Sequence, residues 1–338
     1  MEEKIHAPEQ KPETNVDEKA CGTTNQSPEP KPEPTPEPKP EPTPEPKPKP
    51  KPEKKKRFKE GRRIKTLPPM SVFMPYVMKD RNDACNYISD SIDISAIEDY
   101  VFKKRAEGCK NFGIMHVIIA AYVRTIAEKP GVNRFIRGQR VWSRNNIEVM
   151  LTIKKEMKLN SPDTVIKIFP EATDTATDVY NRINELVLEN KQEGESDFDK
   201  TAKALTSIPG LVIRGLVGLL YFFDYFGLLP RFLTKVSPFH GSMFITSMGS
   251  LGIPPIYHHI YNFGNVPIFI SFGAKRTEYY IDKDGSTKER KMVDLKIVTD
   301  ERICDGYYYA TFLKAMRFYL KNPDKLDNPP KEVIPDID

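Results

Sequence analysis

The C-terminal stretch "KIVTDERICDGYYYATFLKAMRFYL", residues 296–320, contains the pattern that decides the fold. Its first residues are typical of a strand, the pair Asp305-Gly306 indicates a tight turn, and the residues that follow have the apolar face of a helix. Glu301, Arg302 and Asp305 lie on the approach to this glycine. The stretch therefore predicts a strand, a polar loop and a helix in direct succession.

Segments upstream predict a mixture of strands and helices. A strand followed by a helix that begins near Asp93 or Ser95 is predicted in "SDSIDISAIEDYVFKKRAEG". The further segments are an apolar helix ended by Pro130-Gly131, two strands in "NNIEVMLTIKKE" and "DTVIKIFPE", the amphipathic helix "TDVYNRINELVLENKQEG", and two long strands around Lys283-Asp284-Gly285. The order lacks the regular strand–helix–strand spacing of a doubly wound sheet, so the class is α+β.

Composition divides the 338 residues into five parts. Residues 1–27 are polar and predict disorder. Proline occupies every second position from 28 to 52, so residues 28–53 predict an extended, semi-rigid linker, because proline cannot donate the hydrogen bonds of a helix or sheet. Residues 54–65 form a basic flank with eight basic residues and one acid, residues 66–325 are the folded domain, and residues 326–338 are a polar tail.

The net charge of +5 lacks the strong single-sign field of a nucleic-acid-binding protein, so no nucleic-acid partner is expected. The four cysteines, Cys21, Cys85, Cys109 and Cys304, have no metal-ligand spacing and are interpreted as free thiols in a reducing compartment. The N-terminal residues lack the apolar core of a secretory signal. A cytoplasmic protein without a metal site is therefore expected.

One apolar insert, residues 203–236, interrupts the folded domain. Its central part, residues 207–233, is apolar nearly all round, and its longest run without a charge is nine residues, whereas a membrane span needs about 20. The favoured interpretation is a helical hairpin that packs on the domain or on an oligomer partner. The alternative is contact with a membrane surface through 207–233 and the basic flank 54–65, which would make the protein peripheral to the membrane.

Three stretches carry a resemblance to a known family. "IIAAYVRTIAEKPGVNRF", "GSMFITSMGSLGIPPI" and "TDERICDGYYYATFL" resemble, in this order, a long helix, a hydroxyl-bearing strand with a glycine-rich turn, and the D-H-R-x-x-D-G signature. These blocks belong to the catalytic domain that chloramphenicol acetyltransferase shares with the dihydrolipoamide acyltransferases of 2-oxo acid dehydrogenase complexes. The resemblance covers residues 66 to about 325 apart from the insert.

The resemblance implies a two-layer sandwich of a mixed sheet and packed helices, assembled as a homotrimer. It also implies acyl transfer between coenzyme A and an acceptor, without a metal. The implied oxyanion-stabilising hydroxyl is Thr246, with Ser247 as the neighbouring candidate. Arg302, Asp305 and Gly306 become the structural part of the motif, in which Asp305 is the carboxylate that pairs with an arginine and holds the loop.

Glu301 stands where the family has its catalytic histidine. An ordinary carboxylate, with a pKa near 4.3, lies about four units below a thiol, so a glutamate would need a raised pKa to act as the base. His258 and His259 are the alternative bases, although paired histidines in a tyrosine-rich loop are more often surface or packing residues. His116 is interpreted as a packed core histidine.

A second hypothesis is a non-catalytic trimeric scaffold or binding protein, a pseudoenzyme of the same fold. Nothing before residue 66 has the composition of a folded lipoyl domain, so no lipoyl arm is expected in this chain. The acyl donor and acceptor are left open.

Overall fold

A computed structural model of the chain describes residues 60–154, 163–192 and 208–338. All of them lie in one compact unit, residues 57–338. The predicted N-terminal segment 1–27, the linker 28–53 and the first half of the basic flank, residues 54–59, lie outside the described residues. The described strands are β1 Gly61–Arg63, β2 Cys85–Asp93, β3 Arg134–Arg137, β4 Arg140–Arg144, β5 Val149–Lys154, β6 Asp163–Ile168, β7 Met243–Ser247, β8 Ile268–Ile281 and β9 Thr287–Asp300.

A mixed six-stranded sheet forms the centre of the described fold, in the order β2-β9-β8-β7-β5-β6. β7 runs parallel to both β5 and β8, and the remaining pairs are antiparallel. The two longest strands, β8 and β9, form the hairpin that the turn at Lys283-Asp284-Gly285 predicts. The β5–β7–β8 segment is apolar on both faces because both faces are covered.

The helices are α1 Pro69–Val77, α2 Ser95–Ala106, α3 Ile114–Glu128, α4 Ala176–Gln192, α5 Gly210–Phe226, α6 Arg231–Val236 and α7 Gly306–Lys321. Every residue of α3 from Val117 to Ala127 is buried, so α3 is the central helix of the layer. The main core joins α2, α3, α4 and α7 to one face of the sheet, through side chains such as Val293, Leu295 and Ile297 of β9. The predicted α+β class, a mixed sheet with helices packed on it, is confirmed.

A second, three-stranded sheet in the order β1-β4-β3 extends the fold toward the N-terminus. It begins at Gly61, so the folded domain starts earlier than the predicted boundary at 66. The reason is an ion-pair cluster, in which the largely buried carboxylate of Glu60 accepts from Arg144 and Arg137 and from Asn265. Burial alone would raise the pKa of Glu60, but the two arginines outweigh it and hold the pKa well below its usual range.

The C-terminal residues pack on the domain, in contrast to the predicted polar tail 326–338. Leu326 is buried, and the Ile334 N–H donates to the Ala127 carbonyl at the end of α3. Asp336 accepts from Arg134 Nε and Nη2, at 2.8 and 2.5 Å. Proline and acidic residues predict a solvated segment. Here they alternate with residues that pack on the domain, and one of the acids, Asp336, binds the buried Arg134.

The described part of the apolar insert is helical, as predicted, and consists of α5 and α6. None of the α5 residues is buried. Among the residues that the structure describes, no helix combines the length and the apolar character needed to cross a membrane.

Candidate active site

The loop between β9 and α7 is fixed by a buried carboxylate, Asp300. Arg302 donates from Nε and Nη2 to the two Asp300 oxygens, each at 2.8 Å, and Arg81 Nε lies 3.4 Å from Oδ2. Asp300 is fully buried, and both arginine side chains are almost so. Burial lowers the pKa of the Arg81 guanidinium, and Asp300 opposes this shift. Two arginines on one carboxylate hold the loop rigidly.

The two arginines also connect this loop to distant segments. Arg302 Nη1 donates to the Met78 and Lys79 carbonyls, which follow α1. Arg81 donates to the carbonyls of Tyr261 and Gly264 in the loop before β8. The Asp300 cluster therefore fixes three chain segments around one end of the sheet.

Glu301 lies between Asp300 and Arg302, two members of this cluster, and is exposed. Its N–H donates to the Ala84 carbonyl at 2.8 Å, which fixes its backbone. Its carboxylate makes no hydrogen bond or ion pair with any described residue. A rigid backbone thus presents a free carboxylate at the position where the resembling family has its histidine.

Asp305 and Gly306 begin α7. The Asp305 side chain is exposed and accepts from the Tyr308 N–H at 2.7 Å, which makes it the N-cap, and Gly306 is the first helical residue. Within the described residues of this chain Asp305 pairs with no arginine, in contrast to its expected role. Asp300 takes that role, because its side chain points inward from the end of β9 whereas Asp305 lies at the surface. The D-x-R spacing of Asp300 and Arg302 was the feature of the sequence that could have predicted this pairing.

Cys304 lies in the same loop, between Arg302 and Asp305. It is buried, and its burial raises the pKa of the thiol to about 12. It is therefore a packing residue and not a nucleophile.

Thr246 lies on the sheet face that is turned away from the helices. Along β7, Met243 and Ile245 enter the main core, whereas Phe244 belongs to a smaller cluster on the opposite face, and Thr246 shares that face. Ser247 has the opposite orientation, so the two predicted hydroxyls lie on different faces of the sheet. The glycine-rich turn that follows packs closely on β8, because a Cβ on Gly273 would lie 2.4 Å from Pro255.

Ser271 on β8 stands beside Thr246, since the two residues are register partners on parallel strands. Ser271 is fully buried, and its hydroxyl has no hydrogen-bond partner among the described residues. The sequence analysis missed Ser271, although a serine within the apolar run "IFISFG" was a usable signal. Two neighbouring hydroxyls at one level of the sheet can both donate to an oxyanion.

His258 does not reach Thr246 within one chain. Its ring stacks on Phe269 at 4.4 Å, and Phe269 stacks on Phe244 at 4.8 Å, with all three rings nearly parallel. At such distances the two outer rings must occupy opposite faces of Phe269, so the Phe269 ring separates His258 from β7. Burial, and then the neighbouring His259, lowers the pKa of His258, whose Nε2 has no partner among the described residues. His259 is exposed and contacts Tyr261 edge-on.

His116 is a structural residue, as predicted. Its Nδ1 accepts from the Gly113 N–H at the start of α3, and its ring stacks on Phe112. Burial lowers the pKa of His116 to about 4. The imidazole is therefore neutral at physiological pH.

Glu301 and Thr246 of the same chain are also far apart. Thr246 is level with Ser271, and Ser271 is level with Lys296, five residues before Glu301. The remaining length of β9 covers about 13 Å, and two strand spacings add about 10 Å sideways, which places the two residues roughly 16 Å apart. A site that uses both therefore needs Glu301 from one protomer and Thr246 from another.

This geometry is that of an α+β domain with a mixed sheet and a buried Asp–Arg cluster before its last helix. Residues 234–327 match the family model for the 2-oxoacid dehydrogenases acyltransferase (catalytic domain). This match agrees with the resemblance seen in the sequence, and the matched family is one of acyltransferases. No curated protein is significantly similar to the chain in sequence.

One solved structure agrees with the chain at the level of the fold, and two others are less similar. The probable dihydrolipoamide acetyltransferase from Listeria monocytogenes 4b F2365 superimposes with a TM-score of 0.50 at 15% identity, covering 80% of this chain and 98% of the other. Azotobacter vinelandii dihydrolipoamide acetyltransferase gives a TM-score of 0.45 at 14% identity, covering 78% and 93%. A chloramphenicol acetyltransferase gives 0.44 at 12% identity, covering 75% and 94%.

Proposed function

We propose that this protein is a coenzyme A-dependent acyltransferase that works as a homotrimer, with Glu301 as the base. The observation that carries the proposal is the Asp300–Arg302–Arg81 cluster, which holds the backbone of Glu301 rigidly and leaves its carboxylate free. A buried cluster of this kind is costly to keep, and its effect is to position the next residue.

In the proposed step, the thiol of coenzyme A attacks an acyl carbonyl, or the reverse transfer releases that thiol. The Glu301 carboxylate accepts the thiol proton as the sulfur–carbon bond forms. Thr246, and Ser271 beside it, donate to the oxyanion of the tetrahedral intermediate. Collapse of the intermediate expels the leaving group, which takes the proton back from Glu301.

The first test measures acyl transfer from acetyl-coenzyme A to a panel of small thiols, alcohols and amines. Glu301→Gln should lower kcat by about 10²- to 10⁴-fold, which is the usual contribution of a general base. Glu301→His should retain or raise activity, and the matched control Glu185→Gln, on an exposed part of α4, should be unchanged. Wild-type activity in Glu301→Gln would remove Glu301 as the base.

The second test uses complementation between protomers. Glu301→Gln and Thr246→Val chains are each expected to be inactive, but a co-expressed mixture should recover about a quarter of wild-type activity. A random mixture in a cyclic trimer pairs an intact Glu301 with an intact Thr246 at one site in about four. Failure to recover activity, in a mixture shown to contain both chains in one oligomer, would contradict a shared site.

A non-catalytic scaffold is the second candidate. The observation in its favour is that no described side chain orients the Glu301 carboxylate, although catalytic groups are normally held in place. Coenzyme A should then fail to raise the melting temperature, whereas binding to an open channel raises it by mass action.

A further inference from the structure

Helix α5 is attached to the domain along one stripe and at one end. Ile213, Leu220 and Asp224 are spaced by seven and four residues, so they share one side of the helix, and all three are partly buried. The Asp224 carboxylate meets His240 Nε2 at 3.0 Å and accepts from the Gly264 N–H at 3.1 Å. His240 is itself buried. The helix is therefore a fixed part of the fold.

The opposite side of α5 is apolar and exposed. Leu211, Phe222 and Phe226 lie on it, and they are 85%, 55% and 57% exposed. The exposed surface continues through the turn after α5 into α6. We name this surface the insert face, and it comprises Leu211, Leu219, Phe222, Phe226, Leu228 and Phe232. Monomeric proteins rarely leave such a continuous apolar surface in water.

The charges beside the insert face are positive. Arg214 on the flank of α5 and Lys235 on α6 are exposed. Asp224, the single acidic residue between 208 and 247, is turned inward to His240 and Gly264. A second copy placed against the same face would bring these cations together without acids to pair with them.

We propose that the insert face binds the surface of a lipid bilayer that contains anionic lipid. Helix α5, 17 residues and about 25 Å long, would lie in the plane of the membrane with Leu211, Phe222 and Phe226 among the acyl chains. Arg214 and Lys235 would then reach lipid phosphates from the flank, since long basic side chains extend toward the headgroups. This proposal is independent of the acyl-transfer chemistry.

The test is co-sedimentation of the full chain with vesicles of phosphatidylcholine alone and of phosphatidylcholine mixed with phosphatidylglycerol. The wild type should bind the mixed vesicles preferentially. Phe222→Ser combined with Phe226→Ser should weaken this binding by roughly tenfold or more, because two aromatic side chains lose their burial. The matched control is Phe102→Ser on α2, whose ring is 77% exposed, and it should bind like the wild type.

A charge variant and a solution measurement complete the test. Arg214→Glu combined with Lys235→Glu should weaken binding to mixed vesicles by roughly tenfold. Absence of wild-type binding, or unchanged binding in the Phe222/Phe226 variant, would overturn the proposal. It would also be overturned if that variant kept its helix content and melting temperature but sedimented as a smaller species without lipid, because a second copy would then cover the face.

Discussion

Asp300 is the residue on which the proposed site depends most. It is a single fully buried carboxylate between two nearly buried guanidinium groups, and it has no neighbouring acid among its described contacts that could replace it. Its neighbour Glu301 is fixed only through the backbone. The cluster therefore determines the position of Glu301. Its loss should lower the free energy of unfolding more directly than it affects acyl transfer.

Asp300→Asn should reduce the free energy of unfolding by about 3–5 kcal/mol, because Arg81 and Arg302 would remain buried without a counter-charge. Urea unfolding followed by circular dichroism measures this. The matched control is Asp294→Asn, which removes a partly exposed carboxylate of β9 that pairs with Arg276 of the neighbouring strand β8, and it should unfold almost as the wild type does. Equal stability of the two variants would show that Asp300 is not the carboxylate that holds the loop.

At the scale of elements, α7 joins the proposed site to the core. Its first turn starts at the polar loop, and its inner face, with Tyr309, Phe312 and Met316, packs in the main cluster. The Tyr309 hydroxyl donates to the Asp300 carbonyl at 2.9 Å, so the helix and the strand before it support each other. The cap at Asp305 decides where this helix begins.

Asp305→Ala should destabilise the protein by about 1 kcal/mol, since the Tyr308 N–H would lose its acceptor, whereas Asp305→Asn should be nearly neutral, because asparagine is an equally good N-cap. Thermal unfolding of the two variants distinguishes the roles. If Asn and Ala were equally damaging, the charge of Asp305 would matter, and the arginine-pairing role expected from the resemblance would be restored.

At the scale of the whole molecule, the described N- and C-terminal segments are held on the same body. The Asp336 carboxylate binds Arg134 of β3, and the Lys65 and Thr66 N–H groups, which follow β1, donate to the Asp338 carbonyl. Residues that are distant in sequence thus close the small sheet and the end of α3. This explains why the folded domain is larger at both ends than composition indicates.

Asp336→Ala should cost about 3 kcal/mol of unfolding free energy, because Arg134 would be left buried without its carboxylate. Asp338→Ala is the control, since that side chain is 95% exposed, and it should change little. Denaturant unfolding of both variants gives the comparison. Similar small effects would mean that the C-terminal segment is the solvated tail that its composition predicts.

The sequence by itself determined the class of fold and the order of its main elements. Long apolar runs such as that of α3 and the paired strands around Lys283-Asp284-Gly285 depend on local periodicity and turn chemistry, which a sequence shows directly. The short strands β1, β3 and β4 were not predicted, because their pairing relies on the distant cluster around Glu60. The motif blocks pointed to Thr246 and Glu301, which lie near the end of β7 and directly after β9.

Only the tertiary structure decided which side chains meet. It gave the arginine-binding role to Asp300 instead of Asp305, placed Ser271 beside Thr246, and put the ring of Phe269 between His258 and β7. Each of these outcomes depends on the direction of a side chain relative to a neighbouring strand that lies far away in sequence. Local patterns fix the alternation of faces along one strand, but the pairing register between strands, and therefore the contents of a site, arises only when the sheet is assembled.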